Sequence, residues 1–306
     1  HSYGFALAEG DNEGNGFGRQ GGIDADEAIM DVGPRPLRGV YVQAGQVQER
    51  DVVSSIYWGD AHAAEMDMWV RRLCWGKGGM LDTLRPGHQF MGDVLSMRPR
   101  SHHEERDFHR TYAKHVSGEE SVEDELQLTA DFLAEASRGW CETVIVPANH
   151  DRHLSRWLNE TDFRRDPVNA KLFCLMQYHL LDAMDRGDRD FNPLEWGLVR
   201  SGCPPEVRFL GEDESYVVSG VENGLHGDLG PNGSRGSTRS LAKLGRPVNK
   251  GHDHTAAIRD QVYSAGTCAM RFPYMKGPSS HSVSHVVTYA NGARTLVTMW
   301  AGRWRA

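Results

Sequence analysis

Apolar residues fall along the chain in short runs separated by glycine and polar turns. Residues 51–58 (DVVSSIYW) read as a buried strand that runs straight into Gly59-Asp60-Ala61-His62. Residues 63–75 have a helical pattern. Residues 88–92 predict a second short strand, ending in Phe90-Met91-Gly92 and followed by Asp93. Over 119–138 the spacing predicts a helix, with Ser121 as N-cap and acidic residues in the first turn. Residues 141–147 (CETVIVP) predict a third strand that delivers Ala148-Asn149-His150-Asp151. A helix is expected over 168–186, where Leu172, Leu175, Met176, Leu180 and Met184 recur at helical spacing. Further strands are expected at 206–210 and 215–221, then a Gly/Ser/Asn-rich loop over 227–240. The last fifty or so residues are strand-like, with a hairpin turn at Asn291-Gly292.

Alternation of strand and helix up to about residue 150 predicts an α/β fold, with more β-structure after it. Ahead of this, residues 1–35 are glycine-rich and read as an irregular arm or linker, so the domain proper is expected over 36–306. Residues 38–48 could pair as a strand. Every candidate ligand described below sits at the C-terminal end of an expected strand or in the loop after it, where open α/β sheets place their sites.

Composition narrows the picture. A chain of 306 residues with 39% hydrophobic content suits one large α/β domain or two small ones. No run approaches the roughly 18 apolar residues of a membrane helix, and no signal segment opens the chain. It begins at His1 rather than Met, which leaves open processing, trimming or excision from a longer protein. The five cysteines are widely spaced without a CxxC pair, so reduced thiols in a cytoplasmic setting are expected. A net charge of -8 argues against sequence-independent coating of DNA but not against a nuclease. Fifteen histidines with no poly-His run bring metal chemistry forward.

Five short motifs occur in order: Asp60-Ala61-His62, Gly92-Asp93, Asn149-His150-Asp151, Leu225-His226-Gly227 and Gly251-His252-Asp253-His254. Each is weak alone, since an aspartate at a strand end can be a cap and a histidine before glycine a loop residue. Together and in this order they carry weight. The chain resembles the calcineurin-like metallophosphoesterase superfamily, whose pattern reads DxH, GD, GNHD/E, H, GHxH. The resemblance spans residues 60–254. It implies a sandwich of two mixed β-sheets flanked by helices. It also implies two metals, one held by Asp60, His62, Asp93 and His254, the other by Asp93, Asn149, His226 and His252, with Asp93 bridging.

The donor types support the same chemistry. Imidazole with carboxylate suits Mn²⁺, Fe and Zn²⁺. A bridging carboxylate can set two ions roughly 3.5–4 Å apart, the spacing used in phosphoryl chemistry. Two divalent cations lower the pKa of a shared water and leave the site net positive toward a phosphate oxyanion. Mn²⁺ is the first expectation, with Mg²⁺, Fe or Zn²⁺ as alternatives. His150, next to Asn149, is the candidate general acid for the leaving oxygen. Asp253 is expected to point away from the metals if 252–254 is extended.

The chain departs from the superfamily pattern in two places. Ala148 stands where Gly is usual, which could shift Asn149. Ser96 stands where many relatives carry Asp or His to orient the catalytic histidine. Asp151 or a histidine from 102–109 could serve instead.

The motifs give the reaction class rather than the substrate. The block Ala148-Asn149-His150-Asp151 lacks the Arg-Gly-Asn-His-Glu of protein phosphatases and resembles nuclease and cyclic-nucleotide branches. Residues 229–251 contain Arg235, Arg239, Lys243, Arg246 and Lys250 and no acid. This basic stretch joins two ligand motifs and could grip flanking phosphates, Arg235, Arg239 and Lys243 foremost; a solvated surface face is the plainer alternative. Residues 97–114 add Arg and Lys that nearby acids partly cancel. The stretch 226–237 also resembles phage proteins that degrade host DNA and complete viral DNA transfer, which implies a DNase of the host cytoplasm and hints at self-assembly. The leading expectation is a metal-dependent DNA nuclease. The rivals are a small-molecule phosphodiesterase or phosphatase, and a non-enzymatic binding protein with a degenerate site.

Overall fold

The computed structural model describes residues 52–306, apart from 102–103, 105–106, 271, 273–276, 301–302 and 305–306. Ahead of them it describes the backbone of five strands, Ser2–Gly10, Gly16–Asp24, Glu27–Asp31, Gly39–Gln43 and Gln46–Arg50, where an irregular glycine-rich arm over 1–35 and one strand within 38–48 were expected; the last three pair as a separate antiparallel sheet. From residue 52 onward the strands in chain order are β1 (Val53–Tyr57), β2 (His88–Met91), β3 (Glu142–Ile145), β4 (Arg208–Phe209), β5 (Val217–Val218) and β6 (Val221–Glu222). They continue with β7 (Val248–Lys250), β8 (Ala257–Arg259), β9 (Val262–Ser264), β10 (Ser284–Tyr289) and β11 (Arg294–Thr298). The helices are α1 (Met68–Trp75), α2 (Met80–Leu84), α3 (Phe108–Ser117), α4 (Val122–Ala136), α5 (Arg152–Glu160), α6 (Ala170–Asp185), α7 (Pro193–Arg200) and α8 (Thr238–Leu241).

Two mixed sheets result. The first runs β11-β10-β1-β2-β3-β4 and continues past β11 through Gly16–Asp24 and Ser2–Gly10, with β1 to β4 parallel and the remaining strands antiparallel. The second runs β5-β6-β7-β9-β8, with β6, β7 and β9 parallel. Side-chain alternation shows why the first sheet is buried on both faces. Ile56, Met91, Ile145, Val287 and Val297 point into a large core shared with the helices. Their neighbours Tyr57, Phe90, Val144, Val286 and Leu296 point the other way, onto Val218, Tyr263 and Ala265 at the second sheet. Strands apolar on both faces read as continuous runs, which is why these were visible in the sequence. Leu241 of α8 packs on Val248 and Val262 of the second sheet. The fold is therefore α/β, two mixed sheets face to face with helices outside.

One buried polar network ties the helical side together. Gln89 accepts from the indole N–H groups of Trp58 and Trp75, at 2.9 and 3.2 Å. It donates to Ala136 O and Thr143 Oγ1, both at 2.9 Å. Its oxygen and its amide nitrogen each serve two partners, so replacing Gln89 with an apolar residue would strand two buried indole donors at a cost of about 1–3 kcal/mol each.

Several expected boundaries hold and some shift. Ser121 Oγ caps α4 by accepting from Asp124 N at 3.0 Å. The β10–β11 hairpin turns at Asn291-Gly292, where Gly292 has φ 80°. The helix expected from residue 63 begins only at Met68. Residues 61–63 instead continue pairing beyond β1: Ala61, His62 and Ala63 donate to the carbonyls of Gly92, Asp93 and Val94. The strand expected over 215–221 is split by a tight turn at Ser219 and Gly220, φ 49° and 77°, into β5 and β6. The loop expected over 227–240 contains a short 3-10 turn at Pro231–Gly233 and the start of α8. Among the described residues no helix is long and apolar enough to cross a membrane.

Candidate metal centre

The pairing that displaces the first helix also builds the site. Zipped to the backbone after β2, the segment after β1 holds Asp60 and His62 beside Asp93. Asn149 and His150 follow β3, the next parallel strand. From the second sheet, His226 follows β6, and His252 and His254 follow its parallel neighbour β7. The C-terminal ends of parallel strands in both sheets thus meet at one place.

Asp60, His62, Asp93 and His254 are buried, and one ligand atom from each lies within 4.8 Å of the others. His254 Nε2 is 3.1 Å from Asp60 Oδ2, and His62 Nε2 is 3.7 Å from Asp93 Oδ2. The remaining predicted ligands adjoin them. His226 Nε2 is 3.3 Å from Asp93 Oδ2, and His252 Nδ1 is 2.9 Å from Asn149 Oδ1. The His226 and His252 rings are 5.5 Å apart. All seven predicted side chains are therefore brought together.

The backbone is strained where they meet. His62, Asp93, His252 and His254 all have positive φ, 43°, 49°, 73° and 54°. Non-glycine residues adopt this region at a cost of order 1–3 kcal/mol each, and such strain clusters at functional sites. Two motif glycines are explained by contact. A Cβ on Gly92 would lie 2.5 Å from His226 Nδ1, and one on Gly251 would lie 2.1 Å from Asp60 Oδ1. Ala148 needs no such allowance. It is fully buried without positive φ, so its methyl imposes no backbone strain on Asn149.

Charges respond to this crowding. Burial pushes Asp60 up, but the charge of His226 and the contact with His254 outweigh it and hold Asp60 below the usual carboxylate range. Against a similar burial penalty, His226, His150 and His62 hold Asp93 well below it. Burial pulls His62 down to about 3. His226 rises to about 9, because the charges of Asp93 and Asp60 outweigh its burial.

These residues fit a divalent cation. Among the described residues, His62 Nε2 and both ring nitrogens of His226 are buried without a hydrogen-bond partner. Buried polar atoms are seldom left so, and three converge here on two buried carboxylates. Imidazole with carboxylate is the donor set borderline divalent metals take. With this cluster in place, the relatives bear on it. The chain is similar to "Protein A1" of Escherichia phage T5. The two are 35% identical over 314 residues, covering 100% of this chain and 55% of that protein. The chain thus spans about half the length of the curated relative it matches. No family model matches the chain, and no solved structure matches it.

Around the cluster stand His150, Asp151 and two rings the sequence did not single out. His150 N donates to Asp93 Oδ1 at 2.9 Å, and His150 Nδ1 lies 3.4 Å from Ser96 O. Asp151 does not orient His150, because its Oδ1 accepts from Leu95 N at 2.9 Å. Of the alternative histidines in 102–109, His109 is exposed on α3, and 102–103 lie outside the described residues. Phe272 stacks on His254 with ring centroids 5.0 Å apart, and His281 meets His254 edge-on at 4.7 Å. Nothing in the local sequence around His281 marks it for this place.

The basic stretch divides in two. Arg235, Arg239 and Lys243 are exposed. Lys250 is fully buried, with Nζ donating to Asp253 Oδ2 at 2.7 Å and Gly251 O at 2.6 Å. It is therefore a structural cation, not a surface one. Thr238 donates to the same Asp253 oxygen at 3.1 Å, which pins the start of α8 beside the ligand histidines. Asp253 does turn away from the cluster, but through positive φ at both flanking histidines rather than an extended backbone. Arg246 pairs with Glu222 at 3.1 Å. In the second basic segment, Arg98, Arg100, Arg110 and Lys114 all carry ion pairs. A cavity of about 720 Å³ abuts the Asn149 loop, lined by Ala148, Asp151, Arg152, Asn192 and Phe209.

Proposed function

We propose that this chain is a metal-dependent phosphodiesterase of the calcineurin-like metallophosphoesterase kind, acting on DNA as a nuclease. The observation that carries the reading is the convergence of Asp60, His62, Asp93 and His254, all buried, with Asp93 also facing His226. Asp60, His62, Asp93 and His254 would hold one divalent cation, and Asp93, Asn149, His226 and His252 a second. Cations bound there would lower the pKa of a water nucleophile and neutralise charge on the phosphoryl oxygens.

The chain's own groups do the rest. Asp93 accepts the His150 backbone N–H and so fixes the start of the loop relative to the cluster. The Ser96 carbonyl can only accept, which keeps hydrogen on His150 Nδ1 and leaves Nε2 as the nitrogen that carries a proton to the leaving oxygen. The half-buried ring lies 4.8 Å from His62, within reach of a phosphate bound at the cluster. Arg235, Arg239 and Lys243, free of ion pairs among the described residues and tethered through Thr238 to Asp253, supply positive charge for flanking phosphates. The cavity beside Asn149 has the size of a small-molecule site and would take a flanking nucleotide.

The deciding experiment incubates plasmid and linear DNA with the protein and Mn²⁺ or Mg²⁺, with EDTA as control. Cleavage that requires metal and disappears in Asp93→Ala, with the circular dichroism spectrum retained, supports the proposal. Turnover of bis-p-nitrophenyl phosphate with DNA left intact would point instead to a small-molecule phosphodiesterase. No metal bound and no turnover of either would sink both.

A further inference from the structure

Behind the His62 ring stands a polar chain that the ligand assignment leaves unused. His62 Nδ1 lies 3.2 Å from Ser96 Oγ, and the Ser96 hydroxyl donates to the Glu65 carboxylate. Ser96 is buried and Glu65 half-buried, so water competes little for these contacts. A carboxylate only accepts. With its hydrogen given to Glu65, Ser96 Oγ has lone pairs alone to offer His62. The ring hydrogen must then sit on Nδ1, and Nε2 keeps its lone pair. Nε2 is the buried atom without a partner that faces Asp93. The opposite tautomer would set two lone pairs against each other across the 3.2 Å gap.

Ser96 is itself held in place. Its backbone N–H donates to Glu125 Oε1 at 2.9 Å, and its carbonyl is the group beside His150 Nδ1. One serine therefore adjoins two functional rings, and two acidic residues brace it.

We infer that Glu65 and Ser96 are positioning residues: they lock His62 in the Nδ1–H tautomer and so aim its free Nε2 lone pair at a cation. The inference rests on the metal-site reading above. Hydrogen-bond partners behind a metal-binding histidine contribute about 10–100-fold in metal affinity.

The test uses the full chain with ¹⁵N-labelled histidine. In metal-free protein, the His62 ring shifts should show Nδ1 protonated and Nε2 bare. Ser96→Ala and Glu65→Ala should each mix or invert the tautomer, whereas Ser96→Thr, which keeps the hydroxyl, should preserve it. Mn²⁺ titration of the two alanine variants should show affinity weakened about 10–100-fold. Glu65 is only half-buried, so its alanine variant provides a reading even where Ser96→Ala fails to fold. A wild-type ring protonated on Nε2, or a tautomer unchanged in both alanine variants, would overturn the inference. Because the tautomer is read without metal, its outcome is separate from whether wild-type protein binds Mn²⁺, on which the functional reading depends.

Discussion

The backbone N–H of His252 donates to both carboxylate oxygens of Asp60, at 3.0 and 2.9 Å, across 192 residues of sequence. This contact joins the end of a strand in one sheet to the end of a strand in the other. It depends on Gly251, whose missing side chain is the space Asp60 Oδ1 occupies. Gly251→Ala should push the carboxylate out of line with His254. The expected result is at least a tenfold loss of Mn²⁺ affinity with the far-ultraviolet spectrum unchanged. Retained affinity would show that Asp60 can move freely and is not a ligand.

His150 makes a different kind of prediction. As a general acid it matters in proportion to how badly the leaving group needs a proton, and positioned acids contribute about 10²–10⁴-fold. His150→Ala should cost about that much in kcat on DNA. On bis-p-nitrophenyl phosphate, whose leaving group departs as a stable anion, the loss should be far smaller. Equal losses on both substrates would reassign His150 to binding or structure.

The parts of the site legible in sequence were those where one residue type carries the chemistry. Asp60, Asp93 and Asn149 stood out because strand-like apolar runs deliver them, and those runs are continuous because both sheet faces are covered. The late start of α1 was hidden, because residues 61–63 donate hydrogen bonds to a segment some 30 positions away. The helix α5 was hidden by its composition: of RHLSRWLNE only Leu154, Trp157 and Leu158 face the core. Glu65 and Phe272 carried no motif at all, and Ser96 was visible only as a departure from one. Their roles come from which ring they touch, and that is decided by tertiary packing. Lys250 looked like its basic neighbours, and only burial distinguishes it from Lys243.

Metal should stabilise the fold as well as enable chemistry. Unpartnered nitrogen atoms on His62 and His226 and two buried carboxylates leave the cluster waiting for positive charge. A ligand that binds only the folded state stabilises by about 2.7 kcal/mol at a hundredfold excess over Kd. For a chain of this size that corresponds to roughly 5 °C or more in Tm. Scanning calorimetry of EDTA-treated protein, with and without Mn²⁺, should show this rise, and Asp93→Ala should abolish it. A Tm indifferent to Mn²⁺ would mean that the cluster holds no such ion.

Arg235, Arg239 and Lys243 distinguish a polynucleotide from a small substrate. They are exposed and, among the described residues, without ion pairs, whereas Arg98, Arg100, Arg110 and Lys114 are already neutralised by Glu119, Asp166 and Glu104. Replacing all three with alanine should raise KM for DNA and lower the dependence of log K on log salt by about 2–3, near 0.9 per lost phosphate contact. Turnover of bis-p-nitrophenyl phosphate should be unchanged. An unaltered salt slope would leave the loop as a solvated surface.

Acid should loosen a clasp beside the site. Arg100 Nε donates to Asp166 Oδ2 at 2.7 Å, and Asn169 Nδ2 reaches both oxygens of Asp166 at 3.0 Å. Asn169 Oδ1 in turn accepts from Val122 N at 2.8 Å, so the clasp ties the segment after Ser96 to the starts of α4 and α6. Burial pushes the Asp166 carboxyl up, but the Arg100 and Asn169 hydrogen bonds outweigh it and hold it below its ordinary value. A depressed carboxylate contributes stability that is complete above its unfolded pKa, near 4, and is lost as pH falls through the lower folded value. Urea unfolding of Asp166→Asn should therefore show a deficit of about 1–3 kcal/mol at pH 7. The two proteins should converge as pH drops below about 4. Stability curves that run parallel across that range would mean that the Asp166 charge contributes nothing.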